Sequence, residues 1–302
     1  MNIFKKIAYS LIKKVKILPL DIYAKIHYEY YNDKKLDLTN PIEFNEKIQW
    51  LKVYFHPELI TKLADKYEVR EYVEEKIGLK YLNELIAVYK QVDDVNFDVL
   101  PQKFVIKGVH GCGYNLIVND KSKLNEKKAR RLMKKWMRRN YYYRSGLEWV
   151  YKNIKPKLIC EKYLLQQGKE VIDDYKFFCF NGILKFVQID VDRHNGHCKY
   201  YFDMNWKKLP FRLKSYENEY DGELLPPANF DEMKLLAEKL ADKLPFVRVD
   251  FYSINDKTIF GEMTFYPSDG SLDFVPDEYN KIIGDYLVLP EITNGQKEIT
   301  TY

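Results

Sequence analysis

Two carboxylates in the last fifth of the chain, Asp250 and Glu262, have the spacing and surroundings of a cation site. Each falls in a run that reads as a strand, Phe246-Val-Arg-Val-Asp-Phe-Tyr252 and Thr258-Ile-Phe-Gly-Glu-Met-Thr-Phe265. Val247, Val249 and Phe251 alternate with Arg248, Asp250 and Tyr252, the two-residue period of a strand with one buried face. Asn255-Asp-Lys257 between the runs is turn chemistry and predicts an antiparallel hairpin with a three-residue loop. That register sets Asp250 opposite Glu262 and Arg248 opposite Thr264. Directly opposed side chains have Cβ atoms about 4.5–5.5 Å apart, so the two carboxylates repel unless a cation lies between them. Oxygen-only ligands suit Mg²⁺, most of all where phosphate oxygens complete its shell. The plain alternative is a pair of solvated carboxylates on an exposed sheet face, and a loop one residue shorter would separate them.

Upstream, Phe104-Val-Ile-Lys107 reads as a strand and runs into Gly108-Val-His-Gly111-Cys-Gly113, with a second strand-like run, Leu116-Ile-Val118, beyond. Glycines let the backbone approach an anion and present N–H groups, and a lysine at the strand end adds positive charge. No Gly-Lys-Ser/Thr follows and no helix opens, so the loop matches neither familiar phosphate motif. A glycine flap between two strands can instead close over a triphosphate; a simple hairpin bend is the alternative. Leu158-Ile-Cys-Glu161-Lys162-Tyr163-Leu164 ends an apolar run in a charged pair, a strand end able to hold adenine by main-chain hydrogen bonds. Asp65-Lys66 opens a helix-like stretch from Tyr67 to Ile77, closed by Gly78.

In this order the segments resemble the ATP-grasp superfamily, and more closely the TupA-like ATP-grasp family, named for teichuronopeptide synthesis and often found in surface-polysaccharide gene clusters. Asn40-Pro-Ile-Glu-Phe-Asn-Glu-Lys-Ile-Gln-Trp-Leu51, Asp65-Lys-Tyr-Glu-Val-Arg-Glu-Tyr72 and Asp174-Tyr-Lys-Phe-Phe-Cys-Phe-Asn-Gly182 carry the same resemblance, over about residues 38 to 290. It implies an α+β ATP-grasp fold, two lobes with ATP between them, and an N-terminal helical extension. The expected boundaries are 1–62 for the extension, 63–163 for the lobe with the glycine loop and 164–302 for the lobe with the carboxylate hairpin. By the same resemblance Lys66 and Lys107 contact ATP phosphates, Gly111 and Gly113 belong to the covering loop, and Glu161, Lys162 and Leu164 form the adenine hinge. Asp250 and Glu262 bind Mg²⁺. The superfamily often has asparagine as a third ligand two positions after the glutamate, where this chain has Thr264, a weaker ligand.

The implied reaction is ATP-dependent carboxylate–amine ligation: a carboxylate attacks the γ-phosphate, and an amine displaces the resulting acyl phosphate. Positioning and charge neutralisation are the protein's share. Arg248, on the same strand face as Asp250, is the candidate for the substrate carboxylate or the oxyanion, the alternative being an ion pair with Asp250 or Glu262. Lys176 and Arg193 are further catalytic candidates. Family analogy suggests an amino acid or amine joined to a uronic acid of a surface glycan. Two rivals stand beside it. Asp190-Val-Asp192 has the Asp-x-Asp form of metal-dependent glycosyltransferases, and an ATP-grasp sugar kinase would keep every ATP residue.

The 302 residues are 46% hydrophobic and 31% charged, enough for a large core in one unit or two coupled subdomains. A net charge of +5 favours anionic ligands without requiring nucleic acid. The basic run Lys127–Arg139, opened by Asn125 and carrying Leu132, Trp136 and Met137 on one flank, reads as a solvated helix, and no nucleic-acid motif accompanies it. Cys112, Cys160, Cys179 and Cys198 lack metal-ligand spacing and read as buried free thiols of a reducing, cytoplasmic compartment. No run of about 18 apolar residues is present, so no spanning helix is expected. In residues 1–16, Phe4, Ile7, Leu11 and Val15 share a helical face among lysines. Packing on the chain's own domain is the favoured reading, and contact with the inner face of an anionic membrane is the alternative. Nothing in the sequence sets an oligomeric state.

Overall fold

The computed structural model describes residues 3–12, 14–165, 174–191, 198–216, 222–293 and 295–302. The chain opens with α1 (Ile3–Ile12), α2 (Leu20–Asn32), α3 (Phe44–Tyr54), α4 (Glu58–Ala64) and α5 (Val69–Lys76). Pro19 and Pro57 directly precede α2 and α4, where first-turn N–H groups have no partner within the helix. A reciprocal bond set between Glu43 and Glu46 starts α3. Next come β1 (Leu85–Tyr89), β2 (Phe104–Gly108), β3 (Asn115–Val118), α6 (Glu126–Met137), α7 (Tyr141–Arg144) and β4 (Leu158–Lys162). They build an antiparallel sheet of order β1-β4-β2-β3, whose Phe104, Ile106, Leu158 and Cys160 pack with Met133 and Trp136 of α6.

The second half contributes β5 (Asp174–Phe180), β6 (Ile183–Val191), β7 (Cys198–Phe202), β8 (Arg212–Leu213), α8 (Phe230–Ala241), β9 (Phe246–Ile254), β10 (Lys257–Thr264), β11 (Phe274–Val275) and α9 (Glu278–Gly284). The larger sheet is antiparallel with order β10-β9-β5-β6-β7, while β8 and β11 form a separate ribbon. On one face, Phe177, Val249 and Phe251 bury against Met233, Ala237 and Leu240 of α8. The other face is divided. At one end lie Phe178, Phe180, Phe186 and Phe246, with Phe44 of α3 5.2 Å from Phe246 between ring centroids. At the other end the same face is polar, and neighbouring strands place Glu262, Asp250, Lys176, Gln188 and Tyr201 in one transverse row.

The hairpin departs from expectation in a compensated way. Its turn has two residues, Asn255 and Asp256, both with positive φ (49° and 62°), because Lys257 already pairs with Ile254. Two residues in left-handed conformation match the twist of a tight hairpin. A bulge at Gly261 then inserts the missing residue, so Asp250 still opposes Glu262 and Arg248 still opposes Thr264. Three other expectations need correction. On α1, Ile7 and Leu11 are 57% and 60% exposed, so these two residues are not packed on the domain; Tyr9 on another side bonds to Glu29 of α2. On α6 the inward residues are Ala129, Met133 and Trp136, while Leu132 is exposed, since positions four and three apart define the stripe that faces β2. Cys112 is exposed; the other three cysteines are buried, and all four are free thiols.

Candidate active site

Both sheets lend residues to one cleft. Asp65 lies at the C-terminal end of α4 and its Oδ1 accepts from the backbone N–H groups of Tyr67 and Glu68, which fixes the turn that presents Lys66. Lys66 Nζ donates to Gly111 O at 3.2 Å and stands 3.5 Å from Glu262 Oε2, so a single lysine bridges the glycine loop and the carboxylate hairpin. Lys107, on β2, pairs with Glu161 of β4 at 2.7 Å, and Arg70 of α5 takes the other oxygen of Glu161 at 3.2 Å. The Glu161 carboxylate is therefore occupied by two cations, one from β2 and one from α5. Lys162 is exposed beside Glu84; its N–H donates to Glu84 O and its carbonyl accepts from Asn83, and Leu164 follows in the irregular segment beyond β4.

The glycine loop is seated by aromatic rings. Gly113 has φ +72°, a conformation that suits glycine. A Cβ on Gly111 would fall 2.7 Å from the Tyr141 ring and 2.9 Å from that of Tyr114, so the loop comes as close to α7 as a residue without a side chain allows. Tyr114 in turn stacks on Trp136. His110 is buried and its Nε2 donates to Trp136 O at 3.0 Å, a loop-holding role. Burial pushes its pKa below the ordinary histidine value, and nearby Lys66 pushes the same way.

On the hairpin, Arg248 Nε and Nη2 donate to the two oxygens of Asp250 at 2.7 and 2.6 Å. Nη2 also reaches Thr264 Oγ1 at 3.0 Å and lies 3.6 Å from Glu262 Oε1. Asp250, Glu262 and Thr264 thus already converge on one positive charge, that of the guanidinium. An all-oxygen set with two anionic members is the donor chemistry that Mg²⁺ takes, and these residues fit it once Arg248 releases Asp250. Among the described residues no three or more His, Cys, Asp or Glu side chains converge as a metal site. A cation here would draw the rest of its shell from phosphate oxygens and water. The two carboxylates differ electrostatically. Burial pushes Asp250 upward against the pull of Arg248 and Lys176. For Glu262 burial is outweighed by Lys66, Arg248, Lys176 and Lys107, which bring it down to about 2. The difference follows the neighbours: burial raises both, but four cations act on Glu262, whereas Asp250 has two and the Asp174 carboxylate beside it.

Lys176 is buried beside Asp250 on β5; it pairs with Asp174 and, at 2.7 Å, with Asp190 of β6. Asp190 also accepts from Gln188 at 2.6 Å. This half of Asp190-Val-Asp192 is therefore spent inside the sheet, while Asp192 and Arg193 lie outside the described residues. A cavity of about 580 Å³ continues from Arg248, Glu262 and Thr264 toward the helical extension, and its walls include Lys16, His27, Glu148 and Asp269. None of those four was singled out from sequence as a cavity residue. Lys52, buried beneath Asp269 and paired with it at 2.8 Å, carried a usable signal: a lysine inside the apolar run Trp50-Leu-Lys-Val53.

Comparison with solved structures finds D-alanine–D-alanine ligase from Bacillus anthracis complexed with ATP (13% identity, 68% of this chain and 55% of that chain, TM-score 0.39). It also finds D-alanine–D-alanine ligase from Helicobacter pylori (17%, 82% and 70%, TM-score 0.41) and N5-carboxyaminoimidazole synthetase from Staphylococcus aureus complexed with ADP (14%, 69% and 45%, TM-score 0.36). The chain spans little more than half the length of the first of these. No curated protein matches it. A family model, that of the TupA-like ATP-grasp proteins, matches residues 46–288, which takes in Lys66, the glycine loop, the β4 end and the whole carboxylate hairpin. The chain belongs to the TupA-like ATP-grasp family, and its fold is the α+β ATP-grasp fold.

Proposed function

We propose that the protein is an ATP-dependent ligase that joins a carboxylate to an amine through an acyl phosphate. The observation that carries this reading is the contact of Lys66 with both the glycine loop and Glu262, which gathers cations, flap and paired carboxylates at one place. In this reading Lys66 and Lys107 hold the phosphates, and Gly111 and Gly113 close over them. The β4 end from Glu161 to Leu164 carries the adenine. Asp250, Glu262 and Thr264 would hold Mg²⁺, which when bound supplies charge neutralisation on the phosphate oxygens. Arg248, freed from Asp250, orients the substrate carboxylate and offers hydrogen bonds to the oxyanion that forms as the amine attacks. Lys176, a buried cation on the strand beside Asp250, and Arg193 are further catalytic candidates. The family's association supports a uronic acid of a surface glycan as the acid and an amino acid or amine as its partner. The exposed Ile7–Leu11 face of α1 supports contact with the inner face of an anionic membrane.

Incubating the purified protein with Mg²⁺, ATP, uronic acids and amines should release ADP and phosphate together. Lys107→Ala or Glu262→Ala should lower turnover by at least about 100-fold, the scale of losing one transition-state charge contact. ADP without free phosphate would replace the ligase by a sugar kinase. UDP release from a sugar nucleotide with no ATP requirement would sink both in favour of a glycosyltransferase.

A further inference from the structure

The outer side of α6 carries a charge that the fold does not require. Residues 126–139 hold eight lysines and arginines against the single carboxylate of Glu126, whereas the whole chain is only +5. The remainder of the protein is therefore net negative, and its basic character is concentrated on this one segment. Ala129, Met133 and Trp136 already bury the stripe that fixes α6 to its sheet, and Asn125 caps its start by accepting from the Lys128 N–H at 2.9 Å. The outward residues have no such structural reason. Lys127, Arg131 and Lys135 stand four apart, where like charges weaken a helix. Lys127 and Lys128 lie at the helix start, where the dipole is already positive. A face that only had to be wet would alternate its signs.

Little inside the chain answers this charge. Lys127, Lys128, Arg131, Lys134, Lys135 and Arg138 are all exposed. Arg130 turns back to the fold and donates to Val92 O and Val95 O at 3.0 and 2.8 Å, while Lys134 pairs with Asp93 at 2.9 Å. Arg131, Lys135 and Arg138 have no carboxylate partner among the described residues. With Lys134 and Arg139 they surround a hollow of about 380 Å³ whose described lining residues are all cationic. Cations four residues apart on a helix are spaced by about 6 Å, a ladder that suits a chain of repeated anions better than one small ion.

The form of the surface narrows the partner. A helix that lies on lipid carries apolar residues beside its cations, but here Met133 and Trp136 turn inward and only Leu132, 38% exposed, flanks the row. None of the residues lining the hollow is aromatic, so nothing there stacks on nucleic-acid bases. Arg139 leads into α7, where Arg144 joins Lys14 and Lys16 in the wall of the cavity beside Arg248 and Glu262. Cations thus continue from the hollow toward the carboxylate hairpin.

We propose that the outer face of α6 is a docking surface for an acidic polysaccharide chain that bears carboxylates on many of its sugars, so that the acid substrate reaches the cleft as a polymer held from outside. The positive ladder selects a polyanion. The choice of carboxylates rests on the ligase reading, in which the cleft takes the same group that α6 would meet in repeat.

The test titrates the full chain by calorimetry, without nucleotide, with an oligogalacturonate of about twelve sugars. Galacturonic acid at equal carboxylate concentration and a neutral dextran of similar length serve as controls. The oligomer should bind at least about tenfold more tightly than the single sugar, a modest share of what linked contacts provide. A variant with Arg131→Gln, Lys135→Gln and Arg138→Gln should lose that advantage and melt no lower than the parent, since like charges are removed from the helix. A second variant, Lys239→Gln, Lys257→Gln and Lys297→Gln, removes the same charge from other exposed positions and should keep the binding. Equal oligomer affinity in the α6 variant, equal loss in the second variant, or no preference for oligomer over single sugar would overturn the assignment. So would a 20-nucleotide single strand or phosphatidylserine vesicles binding through the same three residues more tightly than the oligomer. Failure of Mg-ATP to bind in a separate titration would strike the ligase reading alone, because oligomer binding is read without nucleotide.

Discussion

Arg248 and the buried histidines show how much of this molecule is decided by single charges. The guanidinium serves three oxygens of the hairpin, and any cation that takes Asp250 must displace two charge-assisted bonds first. His110 and His56 are both buried with pKa values pushed down by desolvation, in His56 against its contacts with Lys52 O and Glu298. The sign of the consequence is fixed. The unfolded chain takes up protons near pH 6.5 that the folded chain refuses, so these residues leave stability intact above about pH 6.5 and remove it as the pH falls toward the lower folded values. The urea midpoint should therefore drop between about pH 7 and 5, and His110→Gln should flatten that drop; a midpoint as steep in the variant as in the parent would remove His110 from the account.

At the scale of elements, the hairpin is where sequence and structure are best compared. Alternation identified both strands and the facing pair Asp250 and Glu262, because a buried face imposes a two-residue period that composition cannot hide. The turn came out one residue shorter, and the bulge at Gly261 returned the residue. The glycine inside a strand was the available sign of that bulge. Without it Phe260 and Glu262 would share a face, and the carboxylate would turn into the core. A Cβ at Gly261 would stand 3.0 Å from Asp250 O and 3.3 Å from the Tyr252 ring. Gly261→Val should weaken Mg-ATP affinity by at least about tenfold with a stability loss of only about 1–2 kcal/mol, within the range for a strained surface-facing site; equilibrium titration beside thermal melting separates the two. The cavity beyond the hairpin was not legible in the same way. His27 lies on α2 while Glu148 and Asp269 lie in short turns far along the chain, and only the tertiary fold makes the three neighbours.

For the whole molecule, the helical extension does more than lead into the two sheets. Phe44 of α3 covers the aromatic end of the large sheet and leaves its polar end open, so the extension sets where the cleft begins. Residues 14–31 wall the cavity, while α1 turns Ile7 and Leu11 outward. Among the described residues no helix is long and apolar enough to cross a membrane. Removing residues 1–12 should abolish co-sedimentation with phosphatidylserine-containing vesicles and leave Mg-ATP affinity unchanged. Equal sedimentation of both forms would make the outward face of α1 irrelevant to membranes.

The seat of Gly111 against Tyr141 ties these levels together. Tyr141 belongs to the segment that also carries Arg144 and Glu148, so the glycine loop and the wall of the neighbouring cavity share one mechanical support. Any shift of the loop at Gly111 must be matched by the Tyr141 ring and passed on to that wall, so under the ligase reading proposed above, admitting a nucleotide beneath the loop would also reshape the neighbouring cavity.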